Sequence, residues 1–418
     1  RYHAEKIKPD FLPAVYDWIR KRFYVDDGTG GAKTAKDLIE LSDGVIEAMK
    51  RGGFELCKFK SNLPQLMDGN AADEVKLGER NLDDDEKATK VLGVSWIPSA
   101  DVFTFNFDKE ITEKDVKTPR DLVSVQSSLY DPLGLISPFQ LLGRRMMQRC
   151  GAQKNGWDNP LDPKLRREFE TWARSIPLLA KLRIPRWWDQ GIENPVMEEL
   201  HVFVDAAATS GYGAAAYRRV VSEEGVVKVI LLTSRSHVVP LNPSRASHHN
   251  STPRLELSSA AKGVELRQFV IRATESDFTR IIMWSDSEAT LKMINDTTTR
   301  FRLFFANRLS KIHASSSVNE WRHVDSDNNP ADFCSRGVKA GEEEKWKMFH
   351  FGPQFLYRPE DEWPKTDLSR QPTAHCFAVV TEPAPKISTF FQDAAAKTSS
   401  WFWKLRRIAF LRQCARRW

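Results

Sequence analysis

The stretch Val202-Phe203-Val204-Asp205-Ala206 decides how this chain folds, because it closes an apolar strand with an aspartate. That strand starts at Leu200, and two further β-prone runs follow at Gly213–Arg218 and Val226–Thr233. Glycine-containing turns separate the runs, a pattern typical of hairpins. The sequence therefore predicts three antiparallel strands, with a carboxylate at the end of the first.

Helices and strands alternate after this unit. The apolar spacing predicts helix Arg254–Ala273, strand Arg280–Ser285, helices Ser287–Asn295 and Arg302–Ala314, strand Glu320–Val324 and a short helix Pro330–Arg336. Together these elements predict an α/β domain with a mixed sheet. The polar stretch Ser234–Thr252 interrupts the pattern, and we predict that its His237, His248 and His249 are loop residues without a metal-ligand partner set.

Four acidic residues stand at the ends of these elements. Asp205 and Asp286 each end a strand, Glu256 lies in the first turn of a helix, and Asp332 begins the last short helix. Carboxylates at strand ends meet at one edge of a sheet, which suits a two-metal site. Taken singly, Asp286 and Asp332 could each be a helix N-cap. The order of the four acids favours a metal-dependent catalytic site.

A second acidic motif, Tyr24-Val25-Asp26-Asp27, lies near the start of the chain. Its surroundings predict strand, turn and strand, then helix Ala35–Arg51 and strand Phe54–Phe59. A hairpin tip can present carboxylates to Mg²⁺ without burying an unpaired charge. Adjacent aspartates are also common in ordinary turns, so the tetrapeptide alone leaves both interpretations open.

The wider motifs resemble those of a known family. Tyr24–Asp27 is similar to the reverse transcriptase motif, and Gly53–Asn62 matches the pattern that follows it in the Pol polyprotein of BEL/Pao LTR retrotransposons. Val91–Trp96 resembles the next motif, where the primer strand is gripped. Leu129–Pro138 and Asn329–Gly337 also resemble BEL/Pao sequences, the latter in its ribonuclease H.

The resemblance implies an α/β (α+β) multidomain fold. Residues 1–110 would be part of a reverse transcriptase palm, 111–195 a helical thumb and connection, 196–340 a ribonuclease H-like mixed-sheet domain, and 341–418 a linker and basic helix leading toward an integrase. The second region is labelled a peptidase in some family members. Because neither Asp-Thr-Gly nor Asp-Ser-Gly occurs in the sequence, we favour thumb and connection. Ser399–Trp418 could equally be a simple amphipathic helix, or one that lies on a membrane surface.

The resemblance also implies roles for particular residues. In the ribonuclease H site, Asp205 would bridge two Mg²⁺ or Mn²⁺ ions, Asp332 would hold the ion that activates water, and the other two acids, Glu256 and Asp286, would hold the second ion. In the polymerase site, Asp26 would carry metal and Asp27 would assist. For two further residues, the resemblance implies an auxiliary role, and an ordinary structural role is the alternative. Lys58 would protonate pyrophosphate or be a surface lysine, and His323 would assist product release or be a strand residue.

The implied substrate is the RNA strand of an RNA–DNA hybrid, with RNA, DNA and other Pol and Gag segments as partners. The parent element would work inside the cell, in a cytoplasmic virus-like particle. The first polymerase aspartate would precede Arg1, so we expect a fragment that does not polymerise alone. The alternative is an inert element remnant or a host-adopted nucleic-acid-binding scaffold.

Composition agrees with these expectations without deciding between them. A chain of 418 residues suggests two to four domains, at roughly 100–200 residues each. The net charge of +6 favours an anionic partner, although a solvated basic surface would give the same value. Five scattered cysteines indicate neither a disulfide framework nor a zinc site. Since no apolar run reaches membrane-spanning length, we expect no membrane partner.

Overall fold

The computed structural model describes residues 10–24, 27–57, 59–63, 66, 89–91, 93–153, 156–188, 191–192, 195–241, 251–274 and 276–365. Its strands are β1 (Phe23–Tyr24), β2 (Asp27–Gly28), β3 (Thr89–Val91), β4 (Val94–Ile97), β5 (Val102–Thr104), β6 (Ile184–Pro185), β7 (Met197–Ala207), β8 (Gly211–Val221), β9 (Val227–Val238), β10 (Arg280–Ser285) and β11 (Trp321–His323). Its α-helices are α1 (Pro13–Lys21), α2 (Ala35–Arg51), α3 (Lys109–Thr112), α4 (Pro119–Ser128), α5 (Ser137–Ala152), α6 (Pro163–Arg174), α7 (Thr252–Thr274), α8 (Glu288–Asn295), α9 (Leu303–His313), α10 (Ala331–Arg336) and α11 (Glu343–Phe351).

The predicted mixed sheet is confirmed, in the order β11-β10-β7-β8-β9. Strands β7, β8 and β9 are antiparallel neighbours, whereas β10 runs parallel to both β7 and β11. Strand β9 continues to Val238, so the expected polar loop from Ser234 is wrong over its first five residues. Ser234, Arg235 and Ser236 form hydrogen bonds with the turn and helix start at residues 132–137, contacts that periodicity does not reveal.

Helices α7, α8 and α9 cover one face of this sheet. Leu200, Val202 and Val204 of β7 lie in one buried cluster with Leu257 and other apolar residues of the three helices. The helix approaches the strand so closely that a Cβ on Gly263 would lie 2.3 Å from a methyl of Val204. Glycine at this position therefore allows α7 to pack directly on the central strand.

The opposite face shares its core with the middle of the chain. Phe203, Tyr217 and Trp284 of the sheet belong to the same buried cluster as Phe139 of α5 and Phe169 of α6. The mostly helical character predicted for residues 118–189 is confirmed by α4, α5 and α6. Strand β6 adds an element to it, completing a four-stranded sheet in the order β3-β4-β5-β6. One continuous core thus joins the segments that the sequence assigns to connection and ribonuclease H.

Residues after 340 also pack on this face, where the sequence predicted a linker. Helix α11 buries Trp346 and Phe349, and the turns that follow bury Leu356 and Trp363. The linker expectation is therefore wrong from Glu343 to Trp363. These large side chains are spread over one short helix and two brief turns, so they leave no long regular apolar spacing in the sequence. The tail expected at Ser399–Trp418 lies outside the described residues.

Near the start of the chain, β1 and β2 form the predicted antiparallel hairpin. Helices α1 and α2 share a small core that includes Val15, Ile19 and Val45. No strand forms in the described part of Phe54–Phe59, contrary to prediction, and no described strand lies beside it to supply hydrogen-bond partners. Among the described helices, none has the length and apolar character needed to cross a membrane.

Candidate active site

Two of the four acids meet at the edge where β7 and β10 end. These parallel strands pair Val204 with Ser285, so the next residues, Asp205 and Asp286, follow side by side where this pairing ends. Asp205 is only 8% exposed, because it still lies within β7. The parallel register therefore places the two strand-end carboxylates together, as the sequence predicted.

Glu256 reaches this edge from α7. The helix begins at Thr252, two residues earlier than predicted, which places Glu256 in the second turn instead of the first. The Ser287 hydroxyl donates to Glu256 Oε2 at 2.5 Å and also caps α8 by accepting from the Thr290 amide. Ser287 is thus the N-cap of α8. Asp286 does not cap this helix, which was the alternative role that the sequence allowed for it.

Asp332 arrives on α10, inside the first turn of the helix rather than at its N-cap, which is Pro330. The Ser335 hydroxyl donates to Asp205 Oδ2 and lies 3.0 Å from the carbonyl oxygen of Asp332. Asn329 is almost fully buried and donates from Nδ2 to the Val204 carbonyl at 3.0 Å. These bonds fix the short helix α10 against the end of β7.

The electrostatics of this edge disfavour ionised carboxylates. Burial, together with the charges of Asp286 and Asp332, raises the pKa of Asp205 to about 7 against the opposing hydrogen bond from Ser335. Burial also raises the pKa of Glu256, with a smaller contribution from Asp286. Crowded acids of this kind are stabilised by a bound cation.

Each carboxylate is held by a local polar partner. Asp286 Oδ2 accepts from the Ser326 hydroxyl at 2.8 Å, and Asp332 pairs with Arg336 one turn further along α10. Within the part of the chain that the structure describes, no three His, Cys, Asp or Glu side chains are close enough together to enclose a metal ion. Hydroxyl groups rotate freely and Arg336 is exposed, so these partners are the kind that a divalent cation can replace.

The middle part of the chain matches one known family model. Residues 118–287 match the family model described as "Pao retrotransposon-like RNaseH-like domain". The matched range contains Asp205, Glu256 and Asp286 and also α4 to α6, whereas Asp332 lies beyond it. The matched range thus includes both helices α4 to α6 and strands β7 to β10. These elements also share one buried core.

Solved structures of ribonuclease H proteins show a distant likeness to this chain. The N-terminal RNase H domain of a Mycobacterium tuberculosis protein is 9% identical, with a TM-score of 0.19 over 30% of this chain and 83% of that one. RNase H1 from Halobacterium salinarum NRC-1 is 12% identical, with a TM-score of 0.18 over 31% and 87%. The foamy viral protease-reverse transcriptase is 13% identical, with a TM-score of 0.33 over 57% of this chain and 29% of that one. No curated protein matches the chain.

The remaining candidate residues are placed more loosely. Asp26 and Lys58 lie outside the described residues, and Asp27 is exposed on β2. His323 is half-buried at the end of β11, where its backbone pairs with Ser285 next to Asp286. His237 is a strand residue that stacks on Tyr212 at 5.2 Å between ring centroids, so assigning it to a loop was wrong. His248 and His249 fall outside the described residues.

Sequence reasoning missed the serines that hold the carboxylates, Ser287, Ser326 and Ser335. One of them had a detectable signal. Ser335 follows Asp332 by three residues, so both lie on the same face of α10. The other two act across distances of 31 and 40 residues along the chain, which no local spacing reveals.

Proposed function

We propose that the chain is a two-metal ribonuclease H that cleaves the RNA strand of RNA–DNA hybrids. The observation that carries this proposal is the convergence of Asp205, Asp286 and Asp332 at one sheet edge, where their mutual repulsion and burial raise the pKa of Asp205 to about 7. Oxygen-only ligands with surplus negative charge fit Mg²⁺ or Mn²⁺. The carboxylates thus suit divalent cations both in charge and in ligand type.

The four acids would divide between the two metal ions. Asp205 interacts electrostatically with both Asp286 and Asp332, so it would contact both ions. Asp332 would hold one of them, and Glu256 with Asp286 would hold the other. Bound ions of this kind activate water and stabilise the leaving 3′ oxygen. The serine hydroxyls keep the carboxylates oriented toward the shared edge.

A basic and aromatic surface beside Glu256 supports a nucleic-acid substrate. The Arg308 guanidinium lies 3.5 Å from the centroid of Phe304, and Arg254 lies 4.4 Å from the same ring. Arg308 also donates to the Ser258 hydroxyl at 2.8 Å, two residues after Glu256 on α7. Arginines at this position could contact phosphates while the hybrid is recognised by its groove shape and its 2′-hydroxyls.

Cleavage of a labelled RNA–DNA hybrid tests the proposal directly. Wild-type chain should cut the RNA strand when Mg²⁺ or Mn²⁺ is present, and Asp205→Asn should lower the rate at least about 100-fold. Asp327→Asn is the matched control, because this exposed aspartate lies nearby without joining the carboxylate cluster. Full activity of Asp205→Asn would refute the assignment. A wild-type chain that binds the hybrid without cutting it would favour the inert scaffold.

We further propose that residues 1–110 are part of a reverse transcriptase palm. The antiparallel pairing of Phe23–Tyr24 with Asp27–Gly28 supports this, since a strand hairpin is the setting that the sequence predicted for the Tyr24–Asp27 motif. In a polyprotein that contains the whole palm, Asp26→Asn should abolish DNA synthesis on a primed RNA template and leave hybrid cleavage intact. Synthesis that persists in this variant would refute the polymerase role of Asp26.

A further inference from the structure

The short helix α10 depends on its neighbours for its position. It has six residues and no side-chain N-cap bond, and an isolated helix of that length is not stable in water. One side of it is bonded to β7 through Asn329 and Ser335, as described above. The other side meets the middle segment, which we define as residues 118–152. That contact therefore takes part in placing Asp332.

Gly337 brings the end of α10 against the start of α5. Its φ of +90° is a conformation that L side chains rarely adopt, and a Cβ there would lie 2.5 Å from a methyl of Leu142 and 3.1 Å from the Pro138 carbonyl oxygen. The next amide, that of Val338, donates to the same carbonyl at 3.4 Å. Direct backbone contact, with no intervening side chain, thus joins α5 to the end of α10.

A buried layer of small polar side chains extends this junction. Ser137 Oγ lies 2.6 Å from Ser234 Oγ and 3.0 Å from Ser236 Oγ, which joins the first turn of α5 to β9. Cys334, on α10, is buried beside these hydroxyls, and its thiol donates to the Ala214 carbonyl of β8 at 3.7 Å. All four side chains are at most 3% exposed. We call Ser137, Ser234, Ser236 and Cys334 the serine layer.

The turn before α5 is shaped to present Ser137 to this layer. The Asp131 carboxylate accepts from the amides of Leu135 and Ile136 at 3.0 and 2.8 Å. The amide of Ser234 donates to the Leu133 carbonyl at 3.1 Å, and its hydroxyl donates to the Gly134 carbonyl. The turn thereby occupies backbone and side-chain groups of the edge strand β9. The Leu129–Pro138 motif, for which the sequence indicated no chemical role, is thus a turn that docks on β9.

We propose that the middle segment is a positioning element of the ribonuclease H site, acting through the serine layer and Gly337 on α10. Ser137 is a positioning residue: its hydroxyl joins the start of α5 to β9, and the carbonyl of the next residue, Pro138, accepts from the Val338 amide just after α10. That helix carries Asp332 and Ser335, the latter bonded to Asp205. This inference rests on the proposed function for its catalytic consequence, whereas its structural part stands independently. Residues 196–340 without the middle segment would therefore lack one of the two surfaces that hold α10 in place.

Two measurements on the full chain test the proposal. Ser137→Ala removes the hydroxyl that joins α5 to the layer, and amide hydrogen exchange over residues 331–338 should accelerate about five- to tenfold, while α7 is unaffected. In the cleavage assay, kcat should fall about 10- to 100-fold with little change in KM, because misplacement of a catalytic group costs rate without weakening hybrid binding. Ser128→Ala is the matched control, because Ser128 donates only to a carbonyl of its own helix α4.

The outcomes separate this inference from the proposed function. Unchanged exchange over residues 331–338 in Ser137→Ala would overturn the positioning role, and so would equal acceleration in α7, since the layer would then serve only general stability. Faster local exchange with normal kcat would also overturn it. If the wild-type chain cleaves no hybrid, the proposed function fails, while locally faster exchange in Ser137→Ala would still support the docking of α10 by the middle segment.

Discussion

Replacing Asp205 with asparagine should stabilise the metal-free protein while it removes activity. In the folded state, burial and the neighbouring Asp286 and Asp332 raise the pKa of Asp205 to about 7, against an ordinary value of 3.8. The folded protein therefore binds this proton more tightly than the unfolded chain does. The resulting stabilisation is fully present below pH 3.8 and is lost as the pH rises through 7.

The size of the effect follows from these two values. At about 1.4 kcal/mol for each pH unit between them, ionising Asp205 at pH 8 costs the metal-free fold about 4 kcal/mol. Asparagine carries no charge and can still accept the Ser335 hydrogen bond, so it avoids this cost. We expect Asp205→Asn to be more stable than wild type by about 2–4 kcal/mol at pH 8. The difference should shrink steadily toward pH 4.

Urea unfolding in EDTA at pH 4, 6 and 8 measures this difference. Trp284 and Trp321 are buried in the sheet beside the site, so tryptophan fluorescence reports its unfolding. Asp327→Asn should leave the free energy of unfolding unchanged at every pH. A gain in Asp205→Asn that is independent of pH, or no gain at pH 8, would refute the electrostatic account of the site.

Three other predictions concern metal, packing and substrate. EDTA should abolish hybrid cleavage and added Mn²⁺ should restore it, as followed by RNA product formation. Glu199 is fully buried, which raises its pKa, but its contact with His201 at 3.3 Å and its pairs with Arg280 at 2.5 Å and Arg219 at 2.7 Å lower the pKa to about 2 overall. Glu199→Gln should therefore cost about 3–5 kcal/mol in urea unfolding at pH 7, a cost that fades as the pH falls from 4.5 toward 2. Arg308→Ala should weaken hybrid binding and reduce the slope of log Kd against log salt by about 1, whereas an unchanged slope would remove Arg308 from the phosphate contacts.

The sequence determined the sheet and the choice of acids. The alternating apolar residues before Asp205 and the apolar run before Asp286 indicate two buried strands. They do so because burial imposes a regular spacing on neighbouring residues. The order of strands and helices then fixes which strand ends share an edge. For this reason the convergence of Asp205 and Asp286 could be predicted from the sequence.

Only the tertiary structure decided what supports those acids. Ser137 and Ser234 are 97 residues apart and Ser335 lies 130 residues from Asp205, so no spacing along the chain indicates that they touch. Trp346 and Trp363 looked like linker residues for the same reason, since they reach the shared core from a short helix and a brief turn. Periodicity records exposure to solvent along one element, whereas a hydrogen bond or packing contact between distant elements exists only once the chain has folded.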